Sequence, residues 1–348
     1  MVVDTVDIKV GYSCNNDCFH CVIADKRREL LLKTGVADRT KEEIMQHIDE
    51  AGRDDAKSIV LTGGEITIRR DFFDILEYAL SKVETVVIQT NGRMFYYEEF
   101  AKKMASYERA NVTIAIHSCK PNVHDWITGS KGSFKQTTQG IKNLIKFGMK
   151  RRVGGKLVIS KKNMNHLMNT VELCKELGIA SLNIAFPHAM GNARLNFDDC
   201  VPRYIDIKDE ILRTIKKSID LSLHLDLEAI PLCFLPNYET FASELRLSEH
   251  TVLKDLTHTD RNYTKVRQTI AKRKGVQCKE CKYFLICEGV WDDYEKGYDI
   301  SELTPIPQDK PGEYLRDLRL LPSFKIHPVP LIERNIINTT ISNKRINH

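Results

Sequence analysis

Three cysteines near the N-terminus constrain this chain more than any other feature of its sequence. Cys14, Cys18 and Cys21 stand at CxxxCxxC spacing in the run VGYSCNNDCFHCVIAD. The apolar alternating stretch directly before them, residues 6–12, predicts a β-strand. Three thiolates from one short loop can reach three corners of a [4Fe-4S] cube and leave its fourth iron without a protein ligand. The spacing therefore predicts an iron–sulfur loop at the end of a strand.

Two other interpretations of these cysteines stay open. A structural zinc site would need a fourth ligand, and His20 is close enough in sequence to supply one. Alternatively, the three thiols have no common function. Ten cysteines in a secreted chain would favour disulfides, whereas clustered cysteines in a reducing compartment favour metal binding.

A glycine-rich segment follows the second predicted strand. It reads TGGE and comprises Thr62, Gly63, Gly64 and Glu65. Two glycines let the backbone approach a ligand closely, and a carboxylate at a strand end can receive an ammonium group. Further polar motifs end the third and fourth predicted strands, IQTNGR at 88–93 and IAIHS at 114–118, and HDWITGSKGSF follows at 124–134.

In this order, the motifs resemble the radical S-adenosylmethionine (SAM) superfamily over roughly residues 5–230. The resemblance implies that the open iron binds the amino and carboxylate groups of SAM, which the reduced cluster cleaves to a 5'-deoxyadenosyl radical. It implies that TGGE holds the SAM amino group, although the family often has proline where this chain has Ile66. The further cofactor contacts it suggests are His20 and Gly191 near the adenine, Asn91 at the third strand end, and Ser118 and Asn163 near the carboxylate or ribose.

Strands alternate with helices along the first two thirds of the chain. Strands are predicted over residues 6–12, 58–62, 85–89, 112–117, 152–159 and 181–186. Helices are predicted over residues 40–51, 70–82, 97–107, 133–148 and 165–178. Six β/α units of this kind predict an α/β fold with a parallel sheet and helices outside. The resemblance implies a partial (β/α)6 TIM-like barrel, in which reactive groups lie at the C-terminal ends of the strands.

A second set of cysteines lies near the C-terminus. Cys278, Cys281 and Cys287 occur in CKECKYFLICEG, and Cys233 lies upstream in IPLCFLPNY. Four thiolates can close a second cluster. The CxxCxxxxxCxG run resembles the SPASM and twitch auxiliary-cluster domains, although the cysteine expected shortly after Cys287 is absent. A four-cysteine zinc ribbon is the alternative. If Cys233 is not a ligand, this cluster would keep an open iron.

Cys119 follows the end of the fourth predicted strand and would face the radical there. A thiol in that place could return a hydrogen atom to a substrate radical, as in related peptide epimerases, so Cys119 is the predicted catalytic residue. The alternative is a buried or turn cysteine. Cys174 is predicted to be a small core residue, and Cys200 a loop thiol without an evident partner.

Length and composition limit the remaining possibilities. With 348 residues, 42% of them hydrophobic, the chain can form one large core and a smaller second one. We predict a radical SAM barrel over residues 1–220, an auxiliary iron–sulfur domain over 221–325 and a C-terminal tail over 326–348. The net charge of +5 is modest, so nucleic acid is not an expected partner. No apolar run reaches membrane-spanning length and no signal-peptide core is present, so a cytoplasmic protein without membrane partners is expected.

The predicted function is a radical SAM oxidoreductase with one auxiliary [4Fe-4S] cluster that modifies a peptide or protein side chain. A radical SAM dehydrogenase or cyclase acting on a small molecule, such as an alcohol, sugar or nucleotide, is the first alternative. The second is a non-catalytic iron–sulfur electron-transfer protein. The enzyme would need a one-electron reductant such as flavodoxin or ferredoxin.

Overall fold

A sheet of nine strands organises the described part of the chain. The computed structural model describes residues 3–248 and 250–307, and the predicted tail over 326–348 lies outside these residues. The strands of the sheet are β1 (Thr5–Lys9), β2 (Ser58–Thr62), β3 (Thr85–Thr90), β4 (Ala110–Ala115), β5 (Val153–Val158), β6 (Ser181–Ala185), β7 (His224–Glu228), β8 (Thr251–Lys254) and β9 (Thr259–Asp260).

The order of the strands in this sheet is β7-β6-β5-β4-β3-β2-β1-β8-β9. All neighbours pair in parallel except β8 and β9, which are antiparallel. The predicted α/β class with a parallel sheet is therefore confirmed. The sheet also continues past the domain boundary predicted at residue 220. Strand β7 pairs with the outer edge of β6, and β8 pairs with the outer edge of β1. Both strands cover backbone groups that edge strands leave unpaired.

Helices connect the parallel strands, as crossover connections between such strands require. They are α1 (Ala24–Thr34), α2 (Lys41–Arg53), α3 (Phe72–Lys82), α4 (Glu98–Ala105), α5 (Pro121–Thr128), α6 (Ser133–Lys146), α7 (Leu167–Glu176), α8 (Asn192–Leu195), α9 (Phe197–Cys200), α10 (Tyr204–Asp220) and α11 (Tyr263–Val266). Thr40 and Glu43 form a capping box that starts α2. None of the helices in the described segments is long and apolar enough to cross a membrane.

The two faces of the sheet differ in polarity. Apolar side chains alternate along strands β1 to β7 and are buried in one core cluster together with the apolar faces of α2 and α3. The intervening positions, such as Lys9, Gln89, Thr113 and Lys156, lie on the other face and line a cavity. Residues that follow the C-terminal ends of several strands line this cavity, so motifs that are far apart in the sequence lie close together there.

The segment beyond β9 has little regular structure. It contains α11, a turn of π-helix at Arg267–Ala271, and a small antiparallel sheet of β10 (Lys272–Arg273) and β11 (Val290–Trp291). The C-terminal cysteines lie in short helical turns and loops around this sheet. The buried side chains of Cys281, Val290 and Trp291 join the same core cluster as the barrel, so this segment packs directly on the sheet.

Candidate active site

The three N-terminal cysteines meet at one wall of a cavity of about 400 Å³. Backbone contacts from two sides hold their loop. The backbone N–H groups of Asp17 and Phe19 donate to carbonyls at the end of α5, over 2.9 and 3.1 Å. On the other side, Asn192 donates from its backbone to the Cys21 carbonyl at 2.9 Å and from its side chain to the Cys18 carbonyl at 3.0 Å. The loop that carries the thiols is therefore fixed by elements from both halves of the barrel.

The chemistry of these thiols suits a metal cluster. Burial raises the pKa of Cys14 to about 11 and also raises the pKa values of Cys18 and Cys21. For Cys18, the neighbouring Cys21 and Cys14 raise it further. Because a metal is bound by the thiolate form, binding of a cluster here would release the protons of these three thiols.

The two glycines of TGGE are required by backbone packing. Gly63 has a φ of 136°, and a Cβ atom on Gly63 would lie 2.1 Å from the Gly11 carbonyl oxygen. A Cβ atom on Gly64 would lie 2.1 Å from the Ser13 carbonyl oxygen. The Gly64 and Glu65 N–H groups donate to these two carbonyls over 2.7 and 2.8 Å. The glycines thus press the TGGE backbone against the start of the cysteine loop, and both also line the cavity.

Glu65 connects the ends of β2 and β3. Its Oε1 atom accepts from the Thr67 N–H at 3.0 Å, the Thr67 hydroxyl at 2.5 Å and the Thr90 hydroxyl at 2.6 Å. Its Oε2 atom accepts from the Asn91 N–H at 2.6 Å. A carboxylate oxygen has about two acceptor sites, so Oε2 retains the capacity to receive a ligand ammonium group.

The remaining predicted cofactor residues divide into two groups. Thr62, Asn91 and His20 line the cavity with TGGE. His20 is buried, its ring contacts the His117 ring edge-on at 4.6 Å between centroids, and burial lowers its pKa to about 4. Its Nδ1 atom has no hydrogen-bond partner among the described residues, which suits it to a polar atom of a bound cofactor.

Ser118, Asn163, Gly191 and Cys119 are not brought to the cavity lining. Ser118 is buried and accepts from the Lys120 N–H, and Asn163 bonds to backbone groups at the ends of β4 and β5. The Cys119 N–H donates to Thr170 in α7, and its thiol lies near that of Cys174. The structure therefore gives the predicted catalytic role of Cys119 no support.

Gly191 packs against the cysteine loop. Its φ is 55°, and a Cβ atom there would lie 2.4 Å from the Cys21 carbonyl oxygen. We expect Gly191→Ala to displace this loop and to lower the iron content of its cluster to less than about half. Gly35→Ala is the matched control, because Gly35 has a φ of 72° and nothing within 4 Å of the added atom. Equal iron contents in the two variants would contradict this role for Gly191.

Several cavity residues were not singled out by the sequence analysis. They lie at inward-facing positions of the sheet or in the loops beyond it: Lys9, Thr113, Lys156, His188, Glu228, Tyr263 and Trp291. Lys156 and Glu228 form an ion pair at 2.7 Å. Burial opposes the ionisation of Glu228, but Lys156 and Arg267 prevail and lower its pKa to about 2. This side of the cavity therefore carries a partly buried pair of opposite charges.

Arg267 links this side of the cavity to the C-terminal segment. Its guanidinium lies 3.3 Å from Glu228, 3.0 Å from Glu244 and 3.4 Å from Glu288. The Lys272 ammonium is buried nearby, 4.0 Å from Glu288. Glu228 ends β7, Lys272 lies in β10 and Glu288 precedes β11. Moving one of these strands away would leave a buried charge without its partner, so the charged set holds β10 and β11 against β7.

The four C-terminal cysteines also come together. Cys233, Cys278, Cys281 and Cys287 line one small cavity with apolar neighbours including Pro231, Leu232 and Phe284. Burial raises the pKa of Cys233, and the other three thiols raise it further. Within residues 3–248 and 250–307, only His188, Asp292 and Asp293 form a group of three potential ligands with donor atoms within 4.8 Å of one another. The four cysteines do not form such a group, so no three of their sulfur atoms lie within 4.8 Å of one another. One tetrahedral zinc ion would hold its sulfur ligands about 3.8 Å apart. The wider spacing of the thiols favours a larger, polynuclear group.

Comparisons with known proteins agree with this geometry. Residues 8–174 match the family described as the radical SAM superfamily. The AdoMet-dependent heme synthase of Methanosarcina barkeri is 28% identical over 173 residues, which are 50% of this chain and 47% of that protein. A probable GTP 3',8-cyclase of Saccharolobus islandicus is 28% identical over 224 residues, 62% of this chain and 68% of the cyclase. Mycofactocin maturase MftC of Mycolicibacterium smegmatis is 27% identical over 194 residues, 56% of this chain and 47% of the maturase.

Solved structures share the fold at low sequence identity. Streptococcus suis SuiB bound to its precursor peptide SuiA superposes with a TM-score of 0.60 at 13% identity, over 83% of this chain and 72% of SuiB. The chain spans about half the length of the heme synthase and of the maturase. The cysteine loop and TGGE both fall within the matched residues, at the strand ends where the cavity opens. Residues 8–174 therefore form a domain that matches the radical SAM superfamily.

Proposed function

We propose that this chain binds a [4Fe-4S] cluster through Cys14, Cys18 and Cys21, binds SAM beside it, and cleaves SAM reductively. The observation that carries the proposal is that the three thiols and all four TGGE residues line the same cavity. When bound, the cluster and SAM supply a 5'-deoxyadenosyl radical that removes a hydrogen atom from the substrate.

The chain's own residues would bind and shield these groups. Three thiols hold three irons, Glu65 offers Oε2 to an ammonium group, and the neutral His20 ring offers Nδ1 to the adenine side. The apolar and aromatic wall of the cavity, with Phe186, His188 and Trp291, excludes water from the radical. Exclusion of competing reactions is a principal task of the protein in cofactor chemistry.

A second [4Fe-4S] cluster is proposed at Cys233, Cys278, Cys281 and Cys287, in a SPASM- or twitch-like segment. It is supported by the convergence of four thiols in one apolar cavity and by spacing wider than a single zinc ion requires. Four protein ligands would leave this cluster no open iron, which suits electron transfer better than substrate binding. The segment packs on the barrel through Arg267 and through the buried side chains of Cys281, Val290 and Trp291.

For the substrate, we propose a peptide or protein side chain. The mycofactocin maturase and SuiB, which was solved with its precursor peptide, support this choice. A nucleotide is the second candidate, favoured by the GTP cyclase, of which this chain covers 68%, compared with 47% of the heme synthase and 47% of the maturase. The enzyme would operate in the cytoplasm and take its electron from a flavodoxin- or ferredoxin-type reductant.

The test is an anaerobic assay of 5'-deoxyadenosine formation with dithionite. We expect the iron-replete protein to form 5'-deoxyadenosine from SAM. A pool of short peptides should accelerate this formation and give peptides of altered mass, whereas acceleration by GTP alone would favour the nucleotide candidate. An iron-replete protein that leaves SAM intact would instead support a non-catalytic electron-transfer protein.

A further inference from the structure

A buried carboxylate contacts both ends of the cysteine loop. Asp255 directly follows β8, and its side chain is only 4% exposed. One of its oxygens, Oδ1, accepts a hydrogen bond from the Tyr12 hydroxyl at 2.5 Å, and the other, Oδ2, accepts from the Lys26 ammonium at 3.0 Å. Tyr12 lies two positions before Cys14, and Lys26 lies five positions after Cys21. The two contacts therefore enclose all three N-terminal cysteines.

The pairing of the strands brings Asp255 to this place. Strand β8 pairs in parallel with β1, with Lys254 opposite Ile8, so the residues that follow both strands lie at the same edge of the sheet. The Arg39 guanidinium donates to the backbone carbonyl of Lys9 at 3.0 Å and also to that of Asp255. The carboxylate therefore reaches the cysteine loop from a backbone that is itself bound to the end of β1.

Tyr12 has little freedom to move at the first end of the loop. Its side chain is buried, and its backbone N–H donates to the Ala37 carbonyl at 2.8 Å. Tyr12 and Cys14 both line the cavity, and a single residue separates them in the chain. A shift of the Tyr12 side chain away from Asp255 would therefore move the backbone that carries the first thiol.

The helix at the other end of the loop, α1, depends on polar contacts. Of its residues, all of them within the described part of the chain, only Ala24 is buried. The neighbouring ion pair of Arg27 with Asp17 involves a carboxylate that is 71% exposed, whereas Lys26 pairs with the buried Asp255. Exposed ion pairs contribute little to stability, but loss of one partner of a buried pair leaves an uncompensated charge. Asp255 is therefore the stronger of these two anchors of α1.

We propose that Asp255 is a positioning residue for the N-terminal iron–sulfur cluster. It holds Tyr12 and Lys26 on the two oxygens of one carboxylate and so keeps the ends of the cysteine loop at a fixed separation. At that separation the three thiols between the two contacts can reach one cluster. The proposal rests on the proposed cluster at these cysteines. It also makes β8, which lies outside the matched residues 8–174, a part of the site.

The test measures how fast the N-terminal cluster loses iron. Full-length protein would be reconstituted in a Cys278→Ala and Cys281→Ala background, and transfer of iron to the chelator bathophenanthroline would be followed anaerobically. We expect Asp255→Asn to increase the rate constant about tenfold, because groups that orient metal ligands typically contribute about tenfold to a hundredfold to metal affinity. The asparagine leaves the Lys26 charge uncompensated and turns an N–H₂ group toward one of the two donors.

Asp49→Asn is the matched control. Asp49 accepts from the Tyr78 hydroxyl at 2.8 Å and pairs with the Lys82 ammonium at 2.9 Å, so this replacement breaks the same two kinds of contact. These three residues connect α2 to α3 and do not line the cavity. We expect the control to lower the stability of the protein and to change the rate of iron release less than about twofold.

A second readout does not require a cluster. Hydrogen exchange of the full-length chain as purified would be followed by mass spectrometry on peptides that cover residues 12–26. We expect the amides of this segment to exchange about tenfold faster in Asp255→Asn, while peptides from α2 and α3 exchange as in the wild type. If Asp255→Asn does not fold, Lys26→Met breaks the same ion pair from its partly exposed side and should raise both rates at least about threefold.

Iron release and loop exchange at wild-type rates in the folded variant would overturn the proposal. An equal effect of Asp49→Asn would also overturn it, because the loss of iron would then follow general stability. A protein that takes up no iron would contradict the proposed function, whereas the hydrogen exchange would still show whether Asp255 holds the loop. The failure of the proposal and that of the proposed function are therefore distinguishable.

Discussion

Replacing Cys14, Cys18 and Cys21 together by alanine should leave a protein that retains one cluster and cannot cleave SAM. We expect the iron content to fall from about eight to about four atoms per chain, because the proposed auxiliary cluster has its own four thiols. Formation of 5'-deoxyadenosine with dithionite should disappear. Iron and sulfide analysis with chromatography of the SAM products would measure both effects.

The matched control for this variant is Cys174→Ala with Cys200→Ala. Both thiols are buried in the core away from the cavity, so the loss of two cysteines should cost stability and leave the iron content unchanged. If the triple variant lost all its iron, the C-terminal thiols would not hold an independent cluster. If it kept all its iron, the N-terminal loop would not be a cluster site.

Replacing Glu65 by glutamine should remove SAM binding and destabilise the barrel. The carboxylate accepts hydrogen bonds from Thr67, Thr90 and Asn91 within a buried site. A glutamine amide would present its own N–H₂ group to at least one of these donors, which leaves buried donors unsatisfied. We expect a loss of about 3 kcal/mol in the free energy of unfolding, measured by denaturant unfolding.

SAM binding by the same variant would be measured by equilibrium dialysis on the reconstituted protein. Glu43→Gln is the matched control, because Glu43 occupies a capping box on the surface where glutamine serves equally well. A Glu65→Gln variant with wild-type stability and SAM affinity would show that the carboxylate neither connects β2 to β3 nor receives the cofactor.

The elements that carry the cysteine loop and TGGE could be predicted from the sequence because their signals are local. Alternation identifies a strand, and polar or glycine-rich residues follow it directly. The parallel sheet then gathers these strand ends at one edge, so Cys14, Glu65 and Asn91 line one cavity. Local pattern and global topology agree here, which is typical of sequences that specify one fold.

Other parts of the site depend on contacts between residues far apart in sequence. Gly63 and Gly64 were predicted to admit a ligand; both line the cavity, and both also lie against the backbone of Gly11 and Ser13. Gly191 likewise contacts Cys21. A glycine in a sequence indicates that another group lies close to the backbone there, but it does not tell whether that group is a ligand or another part of the chain.

The charged side of the cavity was not predicted from the sequence for a related reason. Lys156 and Glu228 are single charged residues within strands, and His188 and Trp291 lie 103 positions apart in the sequence. Charged residues in strands usually face solvent. Lys156 lies within β5 and Glu228 ends β7, both on the face that lines the cavity, and β7 itself was not predicted. Pairing of that strand with β6 is what places Glu228 in the cavity.

The most direct test of the central claim is EPR spectroscopy of the dithionite-reduced protein before and after addition of SAM, using a Cys278→Ala and Cys281→Ala background to isolate the N-terminal cluster. If the three thiols leave one iron open beside the TGGE cavity, SAM should bind that iron and change the g values of the reduced cluster. A cluster of about four irons whose spectrum is unchanged by saturating SAM would contradict the account.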